Sequence, residues 1–393
     1  MTNFNQIITR IDDQDVYKKY MQYFFLYQGL GDCIVEYEFF NRGKTKFTPE
    51  FAEALQWQIN QMASLYWTDS QLKHLKEKCP FLPDWYIDFL KEEKYNPEEV
   101  SIIQKGEELS VKVKGPLKST INWEVPLMAT ISELNNLTKG IKPENTFRRT
   151  QNYKNKYNGF KQLGVKVAEF GTRRRASRFI QSESLFNFKA YAPECLVGTS
   201  NIALGDIHEL PLKGTIAHET YMLYAALYGV ENANQTITAQ WWDVFGESVD
   251  CILPDTFTTP YFLESVSPEY FEKYRTARQD SMEPKQFTDL FTNHYKSLNI
   301  NPDSKTVIYS NDINSLRVLK EIHNYAKQFV QPGYGIGTWL SNDCECEKMN
   351  MVIKLTGVYK QGNLIPCVKL SDVIGKITGD KNTAYEYLKV IEK

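Results

Sequence analysis

The sequence predicts a mixed α/β fold in which a larger parallel-sheet domain follows a smaller N-terminal α/β domain. From about residue 140, short β-rich runs alternate with helix-like stretches, which is typical of a parallel sheet. Polar or glycine-bearing clusters follow those runs, and the active site of a (β/α) barrel gathers at that end of its strands. The chain has 393 residues, a length that favours one large and one small domain.

Residues 1–135 are predicted to form the N-terminal domain. A first helix is predicted from a stripe of apolar and aromatic residues at Val16, Tyr20, Phe24 and Tyr27. A second helix is predicted to start at Thr48, Pro49 and Glu50. The segment EVSIIQKGEELSVKVKG alternates with period two around a glycine, so it predicts a hairpin.

Residues 136–345 are predicted to form the parallel-sheet domain. We favour a barrel, although an open doubly wound sheet fits the same alternation, because the glycine pattern does not match a dinucleotide-binding turn. A second hairpin is predicted around Gln361, Gly362 and Asn363. We expect the last segment, residues 346–393, to return to the N-terminal domain.

The composition is that of an ordinary globular protein. Hydrophobic residues make up 42%, charged residues 24%, and the formal net charge is −2. These values exclude disorder and argue against a nucleic-acid or membrane-surface binder that acts through bulk charge. No secretory signal or apolar membrane span is recognised. Seven scattered cysteines favour a reduced, cytoplasmic location, and the lone pair Cys344 and Cys346 is a poor zinc site.

Three consecutive arginines follow the predicted strand VKVAEF. Because Arg173, Arg174 and Arg175 cannot all point into a core, we expect at least one of them to face solvent or an anion. The planar guanidinium suits phosphate and carboxylate groups. A solvated basic loop is the alternative interpretation.

Two further clusters suit a phosphorylated ligand. Gly335, Gly337 and Thr338 follow the last predicted strand, where backbone N–H groups and a hydroxyl can hold phosphate, although a tight turn explains them equally well. Arg278 and Asp280 lie two residues apart at another strand end, so strand alternation places both on one face. An exposed ion pair is the alternative.

His218 begins a predicted helix, and Asp255 is a further carboxylate at a strand end. A lone histidine near a helix start is more often structural or exposed to solvent. Its neighbour Glu219 could orient the imidazole, and the helix N-terminus favours an anion there. These features do not by themselves make His218 catalytic.

The motifs EFGTRRR, VGTSN, PLKGTIAHE, R-x-D-S, YGIGT and VKLSD, in this order, resemble nicotinate phosphoribosyltransferases of the bacterial and yeast type. The likeness extends to D-x-YKKYMQ near the start and GPLKSTINWEVPLMATISEL between the predicted domains. The resemblance implies an irregular (β/α) barrel of the type II phosphoribosyltransferase kind, with an N-terminal α/β domain that the C-terminal segment completes. It also implies a homodimer.

The resemblance implies the synthesis of nicotinate mononucleotide and pyrophosphate from nicotinate and phosphoribosyl pyrophosphate, in NAD biosynthesis. The pyridine nitrogen attacks ribose C1, and catalysis comes from positioning and electrostatics. ATP and Mg²⁺ are the implied cofactors, and the magnesium ligands stay unassigned. The implied enzyme is therefore an ATP-dependent, ligase-type phosphoribosyltransferase with small-molecule substrates.

Site roles carry over from the matching motifs. Tyr17 and Phe170 would sandwich the pyridine ring, and the tyrosine of this motif can come from the partner subunit. Arg173 would neutralise the negative charge of the substrate. Further roles are implied for the ribose and ring (Arg278, Asp280 and the nearby Asp255), for the 5′-phosphate (Gly335, Gly337 and Thr338) and for phosphorylation by ATP (His218).

The second cluster carries the substrate preference. In the nicotinamide-using relative an aspartate follows its Gly-Thr, whereas here Ser200 follows Thr199, and both are assigned to the substrate. A carboxylate at this position would repel nicotinate, while a hydroxyl can donate to it. A nicotinamide or quinolinate phosphoribosyltransferase and a non-catalytic pyridine-nucleotide binding protein are the alternatives.

Three departures from the family pattern lead us to expect reduced activity or altered ATP coupling. The run Asp280–Pro284 reads DSMEP where the family reads DSGDP, so Met282 replaces a glycine and Glu283 an aspartate. Asn311 stands where the family has an aspartate after Ser310. The helix of His218 also reads AHET in place of AHEW.

Overall fold

The computed structural model describes residues 4–373, Gly375 and residues 377–392. The described chain forms two compact units. Unit 1 extends to Lys213 and includes Ile336–Lys354, and unit 2 comprises Gly214–Gly335 and the described residues from Leu355 onwards. These units are compact groups of residues and do not test the predicted domain boundaries at residues 135 and 345, which stay predictions.

Both units contain helices and strands. The helices of unit 1 are α1 (Tyr17–Tyr27), α2 (Phe51–Met62), α3 (Asp69–Lys78), α4 (Asp84–Lys91), α5 (Leu117–Thr120), α6 (Glu124–Thr138), α7 (Thr146–Leu163), α8 (Arg178–Tyr191), α9 (Ile202–Ile207) and α16 (Thr338–Ser341). Those of unit 2 are α10 (His218–Tyr228), α11 (Val230–Phe245), α12 (Thr259–Ser265), α13 (Pro268–Lys273), α14 (Pro284–Ser297), α15 (Leu316–Ala326) and α17 (Lys381–Ile391). The strands are β1 (Ile34–Asn41), β2 (Val100–Lys105), β3 (Glu108–Pro116), β4 (Val167–Glu169), β5 (Leu196–Thr199), β6 (Cys251–Ile252), β7 (Thr276–Gln279), β8 (Thr306–Tyr309), β9 (Gln331–Ile336), β10 (Met351–Lys360) and β11 (Asn363–Pro366).

Unit 1 contains the predicted N-terminal elements. The two predicted helices are confirmed as α1 and α2, but α2 begins at Phe51, just after the predicted start at Thr48, Pro49 and Glu50. The predicted hairpin is β2–β3, in which β3 also pairs antiparallel with β1. Along β3, Leu109, Val111 and Val113 are buried while their neighbours face outwards, so one face of this sheet packs on the core.

A short parallel pair, β4 and β5, also lies in unit 1. The register shifts after Val167, and the pair ends with Glu169 opposite Thr199. Beyond β4, the Phe170 N–H donates to the carbonyl of Ile336 at 2.8 Å. The segment after Glu169 therefore lies beside Ile336, where the second chain segment of unit 1 begins.

Unit 2 is built on the parallel strands β6, β7, β8 and β9, paired in that order. Matching positions run along the sheet, as in Thr276 opposite Thr306 and Thr306 opposite Gln331. Helices α12 to α15 occupy the connections between these strands. The predicted alternation and the parallel sheet are confirmed, and with them the mixed α/β class.

The second predicted hairpin is also confirmed, as β10–β11. Lys360 pairs with Asn363, and the two residues between them have positive φ angles, 51° at Gln361 and 81° at Gly362. Two such residues form the two-residue turn that matches the twist of a hairpin. The positive φ angle at position 362 favours glycine, because glycine has no Cβ atom to clash.

All seven cysteines lie in the described part of the chain, and each is a free thiol. No described helix combines the length and apolar character that a membrane crossing needs.

We predict that Gly171→Ala lowers the free energy of unfolding by about 1–3 kcal/mol, the usual range for overpacking a core. A Cβ atom at Gly171 would fall on the hydroxyl of Ser341 and lie 2.6 Å from Glu169 Oε1. Gly333→Ala is the matched control, because its Cβ would meet Ile308 at an ordinary 3.7 Å. Denaturant unfolding of both variants checks this, and equal midpoints for the two would contradict it.

Candidate active site

The imidazole of His218 lies at the first residue of α10 in unit 2. Its Nδ1 is 3.0 Å from Thr256 Oγ1, and its Nε2 is 3.0 Å from Asp280 Oδ2 and 3.7 Å from Asp255 Oδ1. The structure thus brings together three of the predicted residues, from the start of α10 and from the ends of β6 and β7.

Asp255 lies in the short 3₁₀ turn, Pro254–Thr256, that follows β6. Its side chain is 1% exposed, and its Oδ2 accepts a hydrogen bond from Lys369 Nζ at 2.8 Å. Burial opposes ionisation of Asp255, but Lys369 and His218 outweigh burial and lower its pKa. Asp255 is therefore a buried anion held by a buried cation.

Arg278 and Asp280 contact each other at the end of β7, as their spacing predicts. Arg278 Nη2 donates to Asp280 Oδ1 at 2.9 Å, its Nε to Ser310 Oγ at 2.9 Å, and its Nη1 to Thr215 Oγ1 at 3.0 Å. Burial opposes ionisation of Asp280, but Arg278 and His218 hold its pKa well below the ordinary value. Because the two side chains are 16% and 24% exposed, this is not the exposed ion pair of the alternative interpretation.

The pKa of His218 is lowered from its ordinary value of 6.5. Burial is the main cause and the charge of Lys369 adds to it, whereas Asp255 and Asp280 act in the opposite direction. The imidazole is therefore uncharged near neutral pH. A neutral imidazole keeps a lone pair on one nitrogen, which a nucleophile requires.

His218, Asp255 and Asp280 offer three metal-ligand atoms within 4.8 Å of one another. Lys369 Nζ lies among them, 2.9 Å from His218 Nε2, 2.8 Å from Asp255 Oδ2 and 4.0 Å from Asp280 Oδ2. An ammonium group therefore fills the place of a cation. Since Mg²⁺ also prefers oxygen ligands in an octahedron, this cluster as arranged does not fit magnesium.

The three consecutive arginines of unit 1 have three different environments. Arg175 is fully buried, and its two Nη atoms each donate to one carboxylate oxygen of Asp13 at 2.8 Å. Arg174 donates to the backbone carbonyl of Met351. The side chain of Arg173 keeps 37% exposure. Arg175 is thus a structural anchor, and Arg173 is available to an anion.

Glu124, the first residue of α6, holds the Arg173 side chain. Its oxygens lie 3.2 Å from Arg173 Nη1, 2.5 Å from the fully buried Lys18 Nζ and 3.3 Å from the Tyr17 hydroxyl. Tyr17 and Arg173, both predicted substrate residues, therefore share one carboxylate within one chain. Their roles towards a ligand stay predictions.

Thr199 ends β5, Ser200 follows it, and both are buried. The Ser200 hydroxyl donates to Asp15 Oδ1 at 2.8 Å, and Thr199 Oγ1 donates to Glu169 Oε2 at 2.7 Å. Burial raises the pKa of Glu169 to about 7, against the hydrogen bond from Thr199. Because a hydroxyl has one proton, the predicted donation from Ser200 to nicotinate requires this hydroxyl to turn away from Asp15.

The predicted phosphate residues surround the end of β9. Gly335 lies inside β9, Gly337 follows the strand, and Thr338 begins α16. In unit 1 a Cβ atom at Gly337 would lie 3.1 Å from the carbonyl oxygen of the half-buried Phe170. Glycine thus permits the close approach of two strand ends, and phosphate binding there stays a prediction.

Both substituted residues of the Asp280–Pro284 run have local contacts. The carbonyl of Met282 accepts a hydrogen bond from Gln279 Nε2. Glu283 Oε2 accepts from the N–H groups of Lys285 and Gln286, at 2.9 and 3.0 Å, and so caps α14. The expected loss of activity or ATP coupling stays a prediction.

Sequence reasoning missed Lys369, Glu124 and Asp15. Lys369 lies in VKLSD and Asp15 in D-x-YKKYMQ. Both motifs were recognised, but no charge partner was predicted for either residue. Glu124 lies in the motif between the predicted domains. Each acts through a contact with a residue more than 45 positions away, and no local pattern signals such a pair.

Two sequence profiles match the chain. Residues 165–390 match the nicotinate phosphoribosyltransferase (NAPRTase) family, and residues 13–132 match the N-terminal domain of that family. The chain belongs to the nicotinate phosphoribosyltransferase family. The nicotinate phosphoribosyltransferase of Desulforapulum autotrophicum is 36% identical over 391 residues, which are 98% of this chain and 100% of that protein. That of Methanosarcina mazei is 34% identical over 96% of each chain.

Solved structures of the family share the fold. The chain matches the nicotinate phosphoribosyltransferase of Porphyromonas gingivalis with a TM-score of 0.94 and 31% identity, over 98% of this chain and 100% of that one. The Vibrio cholerae protein matches with a TM-score of 0.90 and 26% identity, over 98% and 94% of the two chains. The family and the fold that the motifs imply are both confirmed.

We predict that His218 titrates below pH 6.5 in an NMR pH series, with its resonance assigned by the His218→Gln variant. Asp280→Asn is expected to lower this pKa further, because it removes a carboxylate that favours the charged imidazole. A His218 pKa above 6.5, or a higher pKa in the variant, would contradict the electrostatic account.

Proposed function

We propose that the chain forms nicotinate mononucleotide and pyrophosphate from nicotinate and phosphoribosyl pyrophosphate, with hydrolysis of ATP, as a step of NAD biosynthesis. The observation that carries the proposal is the half-buried, uncharged imidazole of His218 between two carboxylates and an ammonium group. Such an imidazole suits a phosphoryl acceptor. Family membership supports the same reaction.

The transfer to nicotinate needs little proton chemistry. The pyridine nitrogen carries a lone pair and attacks ribose C1 directly, while the bond to the pyrophosphate oxygen breaks and its electron pair leaves with pyrophosphate. Positive charge develops on the ribose, and the ionised Asp280 can stabilise it. Arg278 fixes that carboxylate from one side.

ATP acts through His218 in this proposal. A phosphoryl group on the imidazole adds a charge near −2 and new hydrogen-bond acceptors. The group would reorganise the charges around Asp255 and Asp280 and thereby couple ATP hydrolysis to synthesis. Magnesium is proposed to enter as the complex of the substrate pyrophosphate, because the cluster itself is filled by Lys369.

Arg173 is proposed to pair with the carboxylate of nicotinate. Glu124 orients its guanidinium, and part of the side chain stays exposed for a ligand. Tyr17 and Phe170 are proposed to stack on the pyridine ring. We also propose a homodimer, in line with the tyrosine that the family motif can supply from the partner subunit.

Nicotinamide is the second candidate substrate, and Asp15 is the observation that favours it. Asp15 is a buried carboxylate 2.8 Å from Ser200, and a carboxylate can accept a hydrogen bond from an amide. Burial raises the pKa of Asp15, which weakens any repulsion of nicotinate. The positive charge of the partly exposed Arg173 favours the acid, so nicotinate stays the first candidate.

We predict that nicotinate mononucleotide forms from nicotinate and phosphoribosyl pyrophosphate with Mg²⁺, and that ATP increases the rate. Nicotinamide and quinolinate are assayed in parallel, with product separation by chromatography. The His218→Ala variant is expected to lose the stimulation by ATP. A preference for nicotinamide would transfer the proposal to the second candidate, and binding without product from any pyridine would leave a non-catalytic binding protein.

A further inference from the structure

Lys369 lies in unit 2 beside the histidine that ATP is proposed to phosphorylate. Its Nζ lies 2.9 Å from His218 Nε2 and 2.8 Å from Asp255 Oδ2, and the side chain is 9% exposed. A lysine this buried, with its ammonium against a nucleophile, is more than a surface charge.

The backbone around Lys369 is fixed by the same turn that faces the imidazole. The N–H groups of Leu370 and Ser371 both reach the Thr256 carbonyl, at 2.8 and 3.3 Å, and Lys369 pairs through its backbone with Thr378. Thr256 Oγ1 at the same time faces His218 Nδ1. The lysine and the imidazole are therefore held by one residue.

Two neighbours of His218 Nε2 require opposite protonation states of that nitrogen. Lys369 can only donate a hydrogen bond, whereas the ionised Asp280 can only accept one. With a proton on Nδ1, shared with Thr256 Oγ1, Nε2 presents its lone pair to Lys369. Nδ1 faces the fully buried Thr256, whereas Nε2 faces the partly exposed Asp280 and the ammonium group of Lys369. Nε2 is therefore the nitrogen that a phosphoryl group can approach once the ammonium group turns aside.

We propose that Lys369 is a catalytic residue that presents the Nε2 lone pair of His218 to ATP and then pairs with the transferred phosphoryl group. This inference rests on the proposed function. The ammonium turns from Nε2 to the oxygens of the γ-phosphoryl group, and Nε2 attacks phosphorus. The Nε2–P bond forms as the bond to the bridging oxygen breaks, and its electron pair leaves with ADP. The proton on Nδ1 stays in its hydrogen bond with Thr256.

Charge balance supports this role. In the resting cluster the charges of Asp255 and Asp280 are matched by those of Lys369 and Arg278, with His218 neutral. A phosphoryl group adds a charge near −2 to this balanced cluster, so it needs a cation close to the accepting nitrogen. Lys369 Nζ already lies 2.9 Å from that nitrogen.

The test uses the full-length chain with γ-labelled ATP and Mg²⁺, followed by alkaline hydrolysis and separation of the two phosphohistidine isomers. We expect the isomer that is phosphorylated on Nε2. The Nδ1 isomer would overturn the inference while leaving the proposed function in place. No phosphohistidine at all in the native chain would overturn both.

Variants test the lysine itself. We expect Lys369→Met to lower the equilibrium constant for phosphorylation, measured by ATP and ADP titration, by at least about tenfold. Lys369→Arg should recover part of it. Lys305→Met is the matched control, because Lys305 is also buried in unit 2 but donates to the carbonyls of Glu272 and Tyr274. Equal constants for Lys369→Met and the native chain, or an equal loss in Lys305→Met, would overturn the inference.

Discussion

Charge compensation in a buried cluster is the constraint on which the candidate site depends. Asp255 is ionised although it is buried, Asp280 is ionised while partly exposed, and each has its own cation, Lys369 or Arg278. An unpaired buried charge is strongly destabilising, so removal of any one charged residue would leave its partner without a counter-charge. The cluster therefore fixes the ends of β6 and β7 relative to the start of α10. It also leaves the imidazole of His218 neutral between opposite charges.

Unit 1 meets the same constraint in two ways. The pair of Arg175 and Asp13 is completely buried and doubly hydrogen-bonded, so it anchors the segment after β4 and is closed to ligands. The carboxylate of Glu124 is shared between the buried Lys18 and the half-exposed Arg173. A carboxylate with two cations leaves positive charge for an anionic substrate. Adjacent arginines thus differ in function because their partners differ.

Much of the fold could be predicted because its signals are local. Period-two alternation gave β2–β3, and a glycine-containing turn gave β10–β11. The pair Arg278 and Asp280 was also predictable, since strand alternation determines their common face. The sequence could not reveal which of three adjacent arginines is buried, because Asp13 lies 162 residues from Arg175. The contact of Lys369 with His218 and the hydrogen bond from Ser200 to Asp15 could not be predicted for the same reason. Only the folded chain brings those partners together.

We propose that phosphorylation of His218 drives the synthesis of nicotinate mononucleotide. The most direct measurement is a single-turnover chase, in which the phosphorylated chain is freed of ATP and mixed with nicotinate and phosphoribosyl pyrophosphate. We expect inorganic phosphate and nicotinate mononucleotide to appear together, in equal amounts, as the phosphohistidine disappears. A phosphohistidine that persists while the product forms would contradict it.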